Sequence, residues 1–498
     1  MSTAYRYLIT VAGELPIKSW RSRPKFYKVL LRNIGELLRR KGALTYSSKL
    51  INAKIFLESD VSVLEELSRV FGVMKVAEVE VIDFNCLEDL VRRAGELSVE
   101  LVLNRKFAVR VKRSGTHDFT SLDIARELGA YLRPRSAGVD LEEPEVEVIL
   151  EVRDSRAYLY RRLVEGVGGF PIGTEGRSLA MFSGGMDSPV AAWLTAKRGV
   201  RVDYLHFFMG SPRSTRLAFT VAKTLTSGWF HGHSPRFYVA DLTEVLTQIR
   251  ERVRWEFRQV VLRTLMYIIG ARVALRNGYE ALVTGESIGQ ASSQTLTNMS
   301  AAQAVANVSI PILRPLISFD KDEIVKLART IGTYELSSKV GEPCAIAPSR
   351  VRTRVSVEEL RNEVGKISGE LIDKVSESVK VVDVINSVPE EALPDSLVAI
   401  DYIPEDAVVV DLRDKDEYVE WHYPGALHYE DIDINTLKGR TLVLYCWRGN
   451  VSYIEASRLR AKGFKAYSFS EGVEGLRRIL GVCSKTSCER RDDPRSRH

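Results

Sequence analysis

The chain has 498 residues, which is too long for one hydrophobic core, so two to four domains are expected. Hydrophobic and charged contents of 45% and 27% are typical of soluble globular domains, and no apolar run reaches the roughly 18 residues that span a bilayer. No signal peptide is recognised, so we expect a cytoplasmic protein without a membrane partner. The net charge is +6, but residues 1–54 carry twelve Lys or Arg against two acids. This favours a polyanion partner, although a merely solvated basic face stays open.

The five cysteines are too widely spaced to suggest a disulfide framework. None forms a C-x-x-C pair, which argues against a zinc or iron–sulfur site made of cysteines alone. No iron–sulfur cluster and no metal held by protein alone are therefore expected. Cys86 is expected to pack in the core, and Cys483 and Cys488 receive no role.

Short strands and helices alternate through the first 165 residues, which predicts two small α+β domains, 1–72 and 73–165. In the first domain, strands are predicted over 5–11 and 52–57, and helices over 25–41 and 61–70. In the second, helices are predicted over 86–103 and 120–132, and strands over 107–113, 146–152 and 156–160.

The basic strand FAVRVKR and the following SGTHDFTSLDIARELG form the most informative part of the second domain. This segment resembles the THUMP domain, which implies RNA binding. The candidate phosphate contacts are Arg110, Lys112, Arg113 and His117, because the strand and its loop would hold them together. A surface strand that happens to be charged is the alternative.

A glycine-rich linker over 166–177 leads into short apolar runs that alternate with helical stretches. This pattern predicts a doubly wound parallel sheet over 178–352. A helical connector over 353–394, a small α/β domain over 395–482 and a polar tail over 483–498 are expected to follow.

The segment SLAMFSGGMDSPVAAWLTAK reads as a buried strand, a tight polar loop and a helix. Gly184 and Gly185 would bring backbone N–H groups close to a phosphate, Ser183 and Ser188 would add hydroxyls, and the helix would add its positive end. A carboxylate at Asp187 suggests Mg²⁺ coordination or loop orientation. SGG-x-DS in this setting resembles the PP-loop ATP pyrophosphatases, which implies ATP with Mg²⁺ and cleavage between the α and β phosphates.

Other segments fit the same site. His206 and Phe207 end one predicted strand, where open α/β sheets bind ligands, while Gly285, Gln290 and Gln294 follow another. Lys321 is a candidate for offsetting charge on the leaving pyrophosphate. TGESIGQASSQTLTN and RPLISFDKDEI resemble one PP-loop branch, the tRNA uridine 4-sulfurtransferases, also called 4-thiouridine synthetases or the ThiI family. That resemblance implies nucleotide contacts at Met181, Phe182, His206, Phe207, Arg263, Gly285 and Gln294, the first two through backbone groups beside adenine.

The segment from 407 to 469 resembles a rhodanese domain. Its first half is matched at Asp411, Arg413, Glu417, His422, Pro424 and Gly425. Cys446 ends a buried strand and precedes a turn and a helix, so backbone N–H groups and the helix N-terminus would cradle a persulfide anion, with Arg448 adding positive charge. Val451 stands where many rhodanese loops carry a basic residue, which puts thiosulfate as a direct donor in doubt. A buried inert cysteine is the alternative.

The order of a basic ferredoxin-like domain, THUMP, PP-loop and rhodanese domains is that of the 4-thiouridine synthetases. The resemblance implies that ATP adenylates O4 of uridine 8 in tRNA and that sulfur from a Cys446 persulfide replaces AMP. It also gives Cys344 a partner role, through attack on that persulfide and formation of a Cys344–Cys446 disulfide. A cysteine desulfurase or another donor would supply sulfur, a ThiS-like carrier protein for thiamine synthesis is a further implied partner, and a homodimer is expected.

Two other functions stay open at this stage. One is a sulfur-trafficking protein that serves mainly thiamine synthesis. The other is an enzyme that uses ATP for a different RNA modification.

Overall fold

The computed structural model describes residues 4–51, 53–340, 352–395 and 397–481. The chain forms two units, Met1–Thr174 and Glu175–His498. Within the described ranges, no helix is long and apolar enough to cross a membrane. Cys344, Cys483 and Cys488 lie outside the described residues, as does the predicted tail.

The first unit is built on one eight-stranded sheet in the order β2-β3-β1-β4-β8-β7-β5-β6. Its elements in chain order are β1 (Tyr5–Val11), α1 (Arg23–Arg40), β2 (Tyr46–Ile51), β3 (Lys54–Ser59), α2 (Leu64–Ser68), β4 (Val73–Asp83), α3 (Leu87–Val102), β5 (Lys106–Ser114), α4 (Ser121–Leu132), β6 (Gly138–Val139), β7 (Val146–Arg153) and β8 (Arg156–Glu165).

The first six elements follow the order βαββαβ, with the sheet order β2-β3-β1-β4, which confirms the ferredoxin-like prediction. The structure differs from the predicted boundary at 72, because the last strand of this motif is Val73–Asp83. That strand pairs with β1 on one edge and with β8 on the other, so the sheet runs unbroken from one predicted domain into the next.

Helices α1 to α4 all pack on one face of this sheet. Alternation along the strands places Ile9, Val76, Leu150 and Leu159 on that face, in the cores beneath the helices. The opposite face carries a smaller cluster that includes Leu8, Val79, Tyr158 and Tyr160.

The described part of the second unit contains two sheets. Its elements in chain order are β9 (Arg177–Met181), α5 (Asp187–Lys197), β10 (Arg201–Phe208), α6 (Pro212–Trp229), β11 (Arg236–Asp241), α7 (Thr243–Arg252), α8 (Arg258–Arg276), β12 (Ala281–Val283), α9 (Leu296–Ala306), β13 (Ile312–Leu313), α10 (Lys321–Thr330), α11 (Tyr334–Ser337), α12 (Val357–Val364), α13 (Gly369–Glu377), β14 (Lys380–Asp383), β15 (Ala399–Ile400), β16 (Val408–Asp411), α14 (Lys415–Glu420), β17 (Leu427–His428), β18 (Thr441–Tyr445), α15 (Asn450–Ala461), β19 (Lys465–Phe469) and α16 (Gly472–Ile479).

The first of these sheets has the order β13-β12-β9-β10-β11-β14, and all its pairs are parallel except β11 with β14. The doubly wound prediction is therefore confirmed. The structure corrects the helical connector predicted over 353–394, because Lys380–Asp383 is a strand. It pairs antiparallel with β11 and closes one edge of the sheet.

The second sheet has the order β15-β19-β18-β16-β17, and its strands are parallel. Cys446 directly follows β18, the central strand, which is buried along its whole length. This is the small α/β domain that the sequence predicts.

Candidate functional site

The loop Ser183–Ser188 joins β9 to α5 at the carboxyl edge of the parallel sheet. The Ser188 hydroxyl oxygen accepts hydrogen bonds from the N–H groups of Ser183 at 3.1 Å and Gly184 at 3.2 Å. The N–H of Gly185 donates to the Ser183 hydroxyl at 3.3 Å. Two backbone N–H groups therefore point at one oxygen at the start of α5, and a helix N-terminus is a favourable place for an anion.

Two glycines allow the loop to pack this closely. Gly184 has φ +78°, and a Cβ there would lie 2.5 Å from the Cα of Ala218 in α6. A Cβ at Gly285 would lie 2.9 Å from the carbonyl carbon of Asp187. Any side chain at either position would push apart backbone segments that now touch, so the loop requires glycine at both.

Asp187 is held by two side chains from distant parts of the chain. Lys321, the first residue of α10, places Nζ 3.0 Å from Asp187 Oδ1, and Gln290 donates from Nε2 to Oδ2 at 3.0 Å. The Asp187 side chain is 28% exposed and that of Lys321 is 52% exposed, so both remain accessible to a ligand. The structure thus brings together three residues that the sequence selects separately.

His206 is buried, and both of its ring nitrogens are engaged. Nδ1 lies 2.9 Å from the Phe182 carbonyl oxygen and Nε2 lies 3.0 Å from the Thr215 hydroxyl. The Phe182 N–H in turn donates to the Leu205 carbonyl at 2.7 Å. Burial lowers the pKa of His206 to about 4, so the ring is neutral at pH 7 and acts by fixing the end of β9.

The pH dependence of stability tests this role of His206. The pKa of His206 falls from 6.5 to about 4 on folding. Between these two pH values, the unfolded chain therefore binds a proton that the folded chain does not bind. We expect the free energy of unfolding to fall as pH drops from 6.5 towards 4, with this residue contributing up to about 1.4 kcal/mol per pH unit. Denaturant unfolding of wild type and His206→Gln at several pH values should show a weaker slope for the variant. Equal slopes would contradict the role.

Glu286 is a buried carboxylate that the sequence reading missed. It accepts hydrogen bonds from Tyr267 at 2.5 Å and from Arg314 at 3.0 Å, and it forms an ion pair with Arg263. Burial alone raises the pKa of Glu286, but Arg263 and the other partners outweigh it, so the net pKa is lowered. Arg263 also donates to the Ser293 hydroxyl at 3.1 Å and so links α8 to the loop after β12.

The remaining predicted nucleotide residues surround the same edge. The Gln294 side chain accepts the Ser287 N–H at 3.3 Å, and its backbone carbonyl accepts the Gly289 N–H at 3.0 Å. Phe207 is buried in the core of the unit, and Met181 is half-buried at the end of β9. Gln294 thus shapes the loop after β12, while the Phe207 side chain serves packing.

The second candidate site is the turn that follows β18. Cys446 is 6% exposed, and its Sγ lies 3.5 Å from the Ser452 hydroxyl in the first turn of α15. Gly449 has φ +86°, and a Cβ there would lie 2.8 Å from the Ser470 carbonyl oxygen. The turn therefore holds the thiol at the start of a helix, where N–H groups stabilise an anion. Arg448 is exposed beside it.

Residues that match the first half of a rhodanese domain contact this turn. Buried Asp411 pairs with Arg413 at 2.7 Å, and the Arg413 guanidinium lies 5.0 Å from the centre of the Trp447 ring. The Trp447 Nε1–H donates to the Glu417 carboxylate at 2.8 Å. His422, Pro424 and Gly425 lie on exposed chain before β17, and His422 stacks on Tyr418.

The four candidate RNA contacts of the first unit lie on two sides of β5. Arg110 and Lys112 are exposed on the face opposite the helices, where Arg110 donates to Glu147 at 2.8 Å. Arg113 points the other way and lies 2.9 Å from Nδ1 of His117, whose Nε2 lies 2.6 Å from the Asp154 carbonyl oxygen. Since an arginine can only donate, His117 carries its proton on Nε2.

Cys86 does not pack in the core. It is exposed and precedes the first residue of α3, so the expectation of a packing role was wrong. Among the residues that the structure describes, no group of three or more His, Cys, Asp or Glu side chains is placed to hold a metal ion.

Comparisons with known proteins agree with this architecture. Family models match residues 173–368 (Thiamine biosynthesis protein, ThiI), 85–162 (THUMP domain) and 399–478 (Rhodanese-like domain). The tRNA sulfurtransferase of Desulfurococcus amylolyticus is 48% identical, covering 95% of this chain and 98% of that protein. The tRNA sulfurtransferase of Pyrobaculum aerophilum is 40% identical, covering 93% of this chain and 96% of that protein. The crystal structure of a 4-thiouridine synthetase–RNA complex with bound ATP matches with a TM-score of 0.67 and 28% identity, covering 76% of this chain and 99% of that one.

A THUMP domain, a PP-loop α/β domain and a rhodanese-like domain in this order define a multidomain sulfurtransferase. The chain belongs to the tRNA sulfurtransferase, or 4-thiouridine synthetase, family and is an enzyme.

Proposed function

We propose that the enzyme uses ATP to adenylate O4 of uridine 8 in tRNA and then replaces that oxygen with sulfur, giving 4-thiouridine. The observation that carries the proposal is the Ser183–Ser188 loop, with Asp187 held between Lys321 and Gln290, in the same unit as the Cys446 turn. The 4-thiouridine synthetase that resembles this chain was solved with RNA and ATP, which supports the same substrates here.

The loop residues have distinct roles in this proposal. An incoming phosphate replaces the Ser188 oxygen as acceptor for the N–H groups of Ser183 and Gly184, which already point inwards. Lys321 offsets the charge that develops on the leaving pyrophosphate. The Phe182 carbonyl keeps one lone pair beyond its contact with His206, which suits it to accept from the adenine amino group.

The chemistry of Asp187 fits a magnesium ion bound together with ATP. Mg²⁺ is usually held by one or two carboxylates plus substrate phosphates, and Asp187 supplies one accessible carboxylate beside the loop. When bound, Mg²⁺ would neutralise charge on the phosphates. Gln290 orients the carboxylate and Lys321 balances its charge.

Sulfur transfer then proceeds from a Cys446 persulfide. Its terminal sulfur attacks C4 of the adenylated uridine, a C–S bond forms, and AMP leaves with the original oxygen. The Cys344 thiolate attacks Cys446 Sγ, and the electron pair of the broken S–S bond goes to the sulfur now on the base. The products are 4-thiouridine and a Cys344–Cys446 disulfide, which a dithiol reductant returns to two thiols. The role of Cys344 rests on the family resemblance alone.

The open face of the first unit is the proposed tRNA surface. Lys54, Lys112 and Arg153 line a cavity of about 300 Å³ on this face, beside the aromatic side chains of Tyr158 and Tyr160. Cations that meet phosphates, next to aromatic rings, are the usual combination at nucleic-acid surfaces. Buried Glu151 accepts from Lys54 at 2.5 Å and from Tyr160 at 2.8 Å, and it holds these groups in place.

Charge reversal at Lys112 tests this surface. We expect Lys112→Glu to weaken tRNA binding about tenfold or more at low salt, since one phosphate contact becomes repulsive, and to reduce the slope of log K against log salt by about 1. The matched control is Arg126→Glu on α4, an exposed charge reversal on the opposite face. Filter binding at several salt concentrations measures both variants. Equal loss in the two would contradict the assignment of this face.

A second function, sulfur supply for thiamine synthesis, is favoured by the description of the ThiI family model. It needs only the Cys446 persulfide, a sulfur donor such as a cysteine desulfurase, and an acceptor such as a ThiS-like carrier protein. If Cys446→Ser abolished sulfur supply to the carrier while tRNA thiolation persisted in cells, this second function would be the main one.

The direct test of the proposed function uses unmodified tRNA, ATP with Mg²⁺ and sulfide. We expect AMP to form and nucleoside mass spectrometry to find 4-thiouridine at position 8. If no AMP and no thiouridine formed, the proposal would be wrong.

A further inference from the structure

Helix α15 of the rhodanese-like domain is buried on two sides. Ala456 and Leu459 face the sheet of their own domain and belong to its core. Ile454, 1% exposed, instead belongs to the core of the PP-loop domain, in one cluster with Val245 and Leu246 of α7. A surface helix normally keeps one polar face, so apolar residues on both sides indicate a helix built to lie between two domains.

The side of α15 that faces the PP-loop domain makes its contacts at the end of β10. Tyr453 packs edge-on against Phe208 with ring centres 5.1 Å apart, and both side chains are buried. Asn450, at the first position of α15, donates from Nδ2 to the Met209 carbonyl at 3.2 Å. Burial raises the pKa of Tyr453, and the charge of Asp241 at the end of β11 raises it further.

Gly210 allows α15 to lie this close to the end of β10. Its φ is +80°, and a Cβ there would lie 3.0 Å from both the Asn450 carbonyl oxygen and the Tyr453 Cβ. A side chain would therefore press on the backbone of α15. The fit is specific to a small residue at the end of this strand.

The docked edge is also the edge of the nucleotide loop. Strands β9, β10 and β11 are parallel neighbours, so their carboxyl ends lie side by side. The Ser183–Ser188 loop follows β9, while α15 lies on the ends of β10 and β11. Ligands of open α/β sheets bind along this edge, and the Cys446 turn leads directly into the docked helix.

We propose that α15 is a docking helix that fixes the rhodanese-like domain on the carboxyl edge of the PP-loop sheet, so that Cys446 delivers sulfur from this docked position. Asn450, Tyr453, Ile454 and Gly210 are then positioning residues. The inference rests on the proposed function and adds to it how the sulfur carrier is held. A domain that swung freely on its tether would reach the base only by diffusion.

The test compares two valine substitutions at glycines with positive φ. Gly210→Val strains the backbone and presses on α15, whereas Gly332→Val, at φ +77° with nothing within 4 Å of its Cβ, adds the strain alone. Ile454→Lys provides a second route to undocking, by placing a charge in the interface. Two thiolation rates are measured for each variant. The first is the single-turnover rate with Cys446 preloaded as the persulfide, expressed per loaded Cys446, and the second is the rate with free sulfide. The measured quantity is the first rate divided by the second.

We expect this ratio to fall about 10- to 100-fold in Gly210→Val and Ile454→Lys, because positioning is lost while chemistry remains, and to stay at the wild-type value in Gly332→Val. Division by the sulfide rate removes any damage to the ATP site. A wild-type ratio in both interface variants, or an equal fall in Gly332→Val, would overturn the inference. Failure of the proposed function is separate, since wild type would then form no thiouridine with sulfide.

Discussion

Replacing Asp187 with alanine is expected to reduce tRNA-dependent AMP formation by about a hundredfold to a thousandfold, the range that follows loss of one charge-stabilising group in an active site. The carboxylate lies at the start of α5 with Lys321 on one oxygen and Gln290 on the other. Without it, a bound Mg²⁺ would lack the protein ligand proposed for it, and Lys321 and Gln290 would lose their shared partner. The measurement is release of labelled AMP with tRNA and ATP.

The control for this variant is Asp322→Ala, which removes an exposed carboxylate one residue after Lys321 in α10. It should keep wild-type AMP formation. The Asp187→Ala protein should still accept sulfur on Cys446, as measured by alkylation and mass spectrometry, because that turn belongs to another sheet. Thiolation of tRNA by Asp187→Ala at the wild-type rate would show that the nucleotide site is misassigned.

Much of the fold was predictable because its signals are local. The buried run before Ser183, the glycines after it and the helix at Pro189 lie within about twenty residues, so the strand, loop and helix were read in sequence order. Strand β14 was not predictable in this way. Its four residues, Lys380–Asp383, become a strand only because β11 offers an open edge about 140 residues earlier in the chain.

The same distinction between local and tertiary signals applies to the residues of the nucleotide site. Asp187, Lys321 and Gln290 were each selected by local pattern, and the fold confirms that they meet. Glu286 was missed because its partners Arg263 and Arg314 are fixed by tertiary structure. One signal was present, since a carboxylate three residues after the end of the buried strand β12 needs a partner if it is buried too.

The sequence also contains a signal for the side of α15 that packs on the PP-loop domain. Tyr453 and Ile454 follow the Cys446 turn on a helix whose other side already holds Ala456 and Leu459. A rhodanese-like domain on its own would need only one apolar side on this helix. The second side therefore pointed to another packing surface, although no pattern could say that the surface was the end of β10.

Replacing Cys446 with serine is expected to abolish thiolation that depends on a persulfide, while AMP formation and sulfide-supported thiolation continue. Serine keeps the size of the side chain and the contact to Ser452, but an alkoxide neither carries sulfane sulfur nor forms a disulfide. The measurement is transfer of radiolabelled sulfur from a cysteine desulfurase to tRNA. The loss should be complete within detection, since no second thiol lies at the end of β18.

Cys86→Ser is the matched control, because it makes the same chemical change at an exposed position before α3. It should transfer sulfur at the wild-type rate. Cys344→Ser separates the two steps of the relay: Cys446 should still load, but the sulfur bound to C4 should stay attached to the protein as a tRNA adduct. Release of free thiolated tRNA from Cys344→Ser at the wild-type rate would mean that another thiol, from the chain or from the reductant, resolves the Cys446 disulfide bond. Cys446 would then act as the carrier alone, and the disulfide would not be part of the cycle.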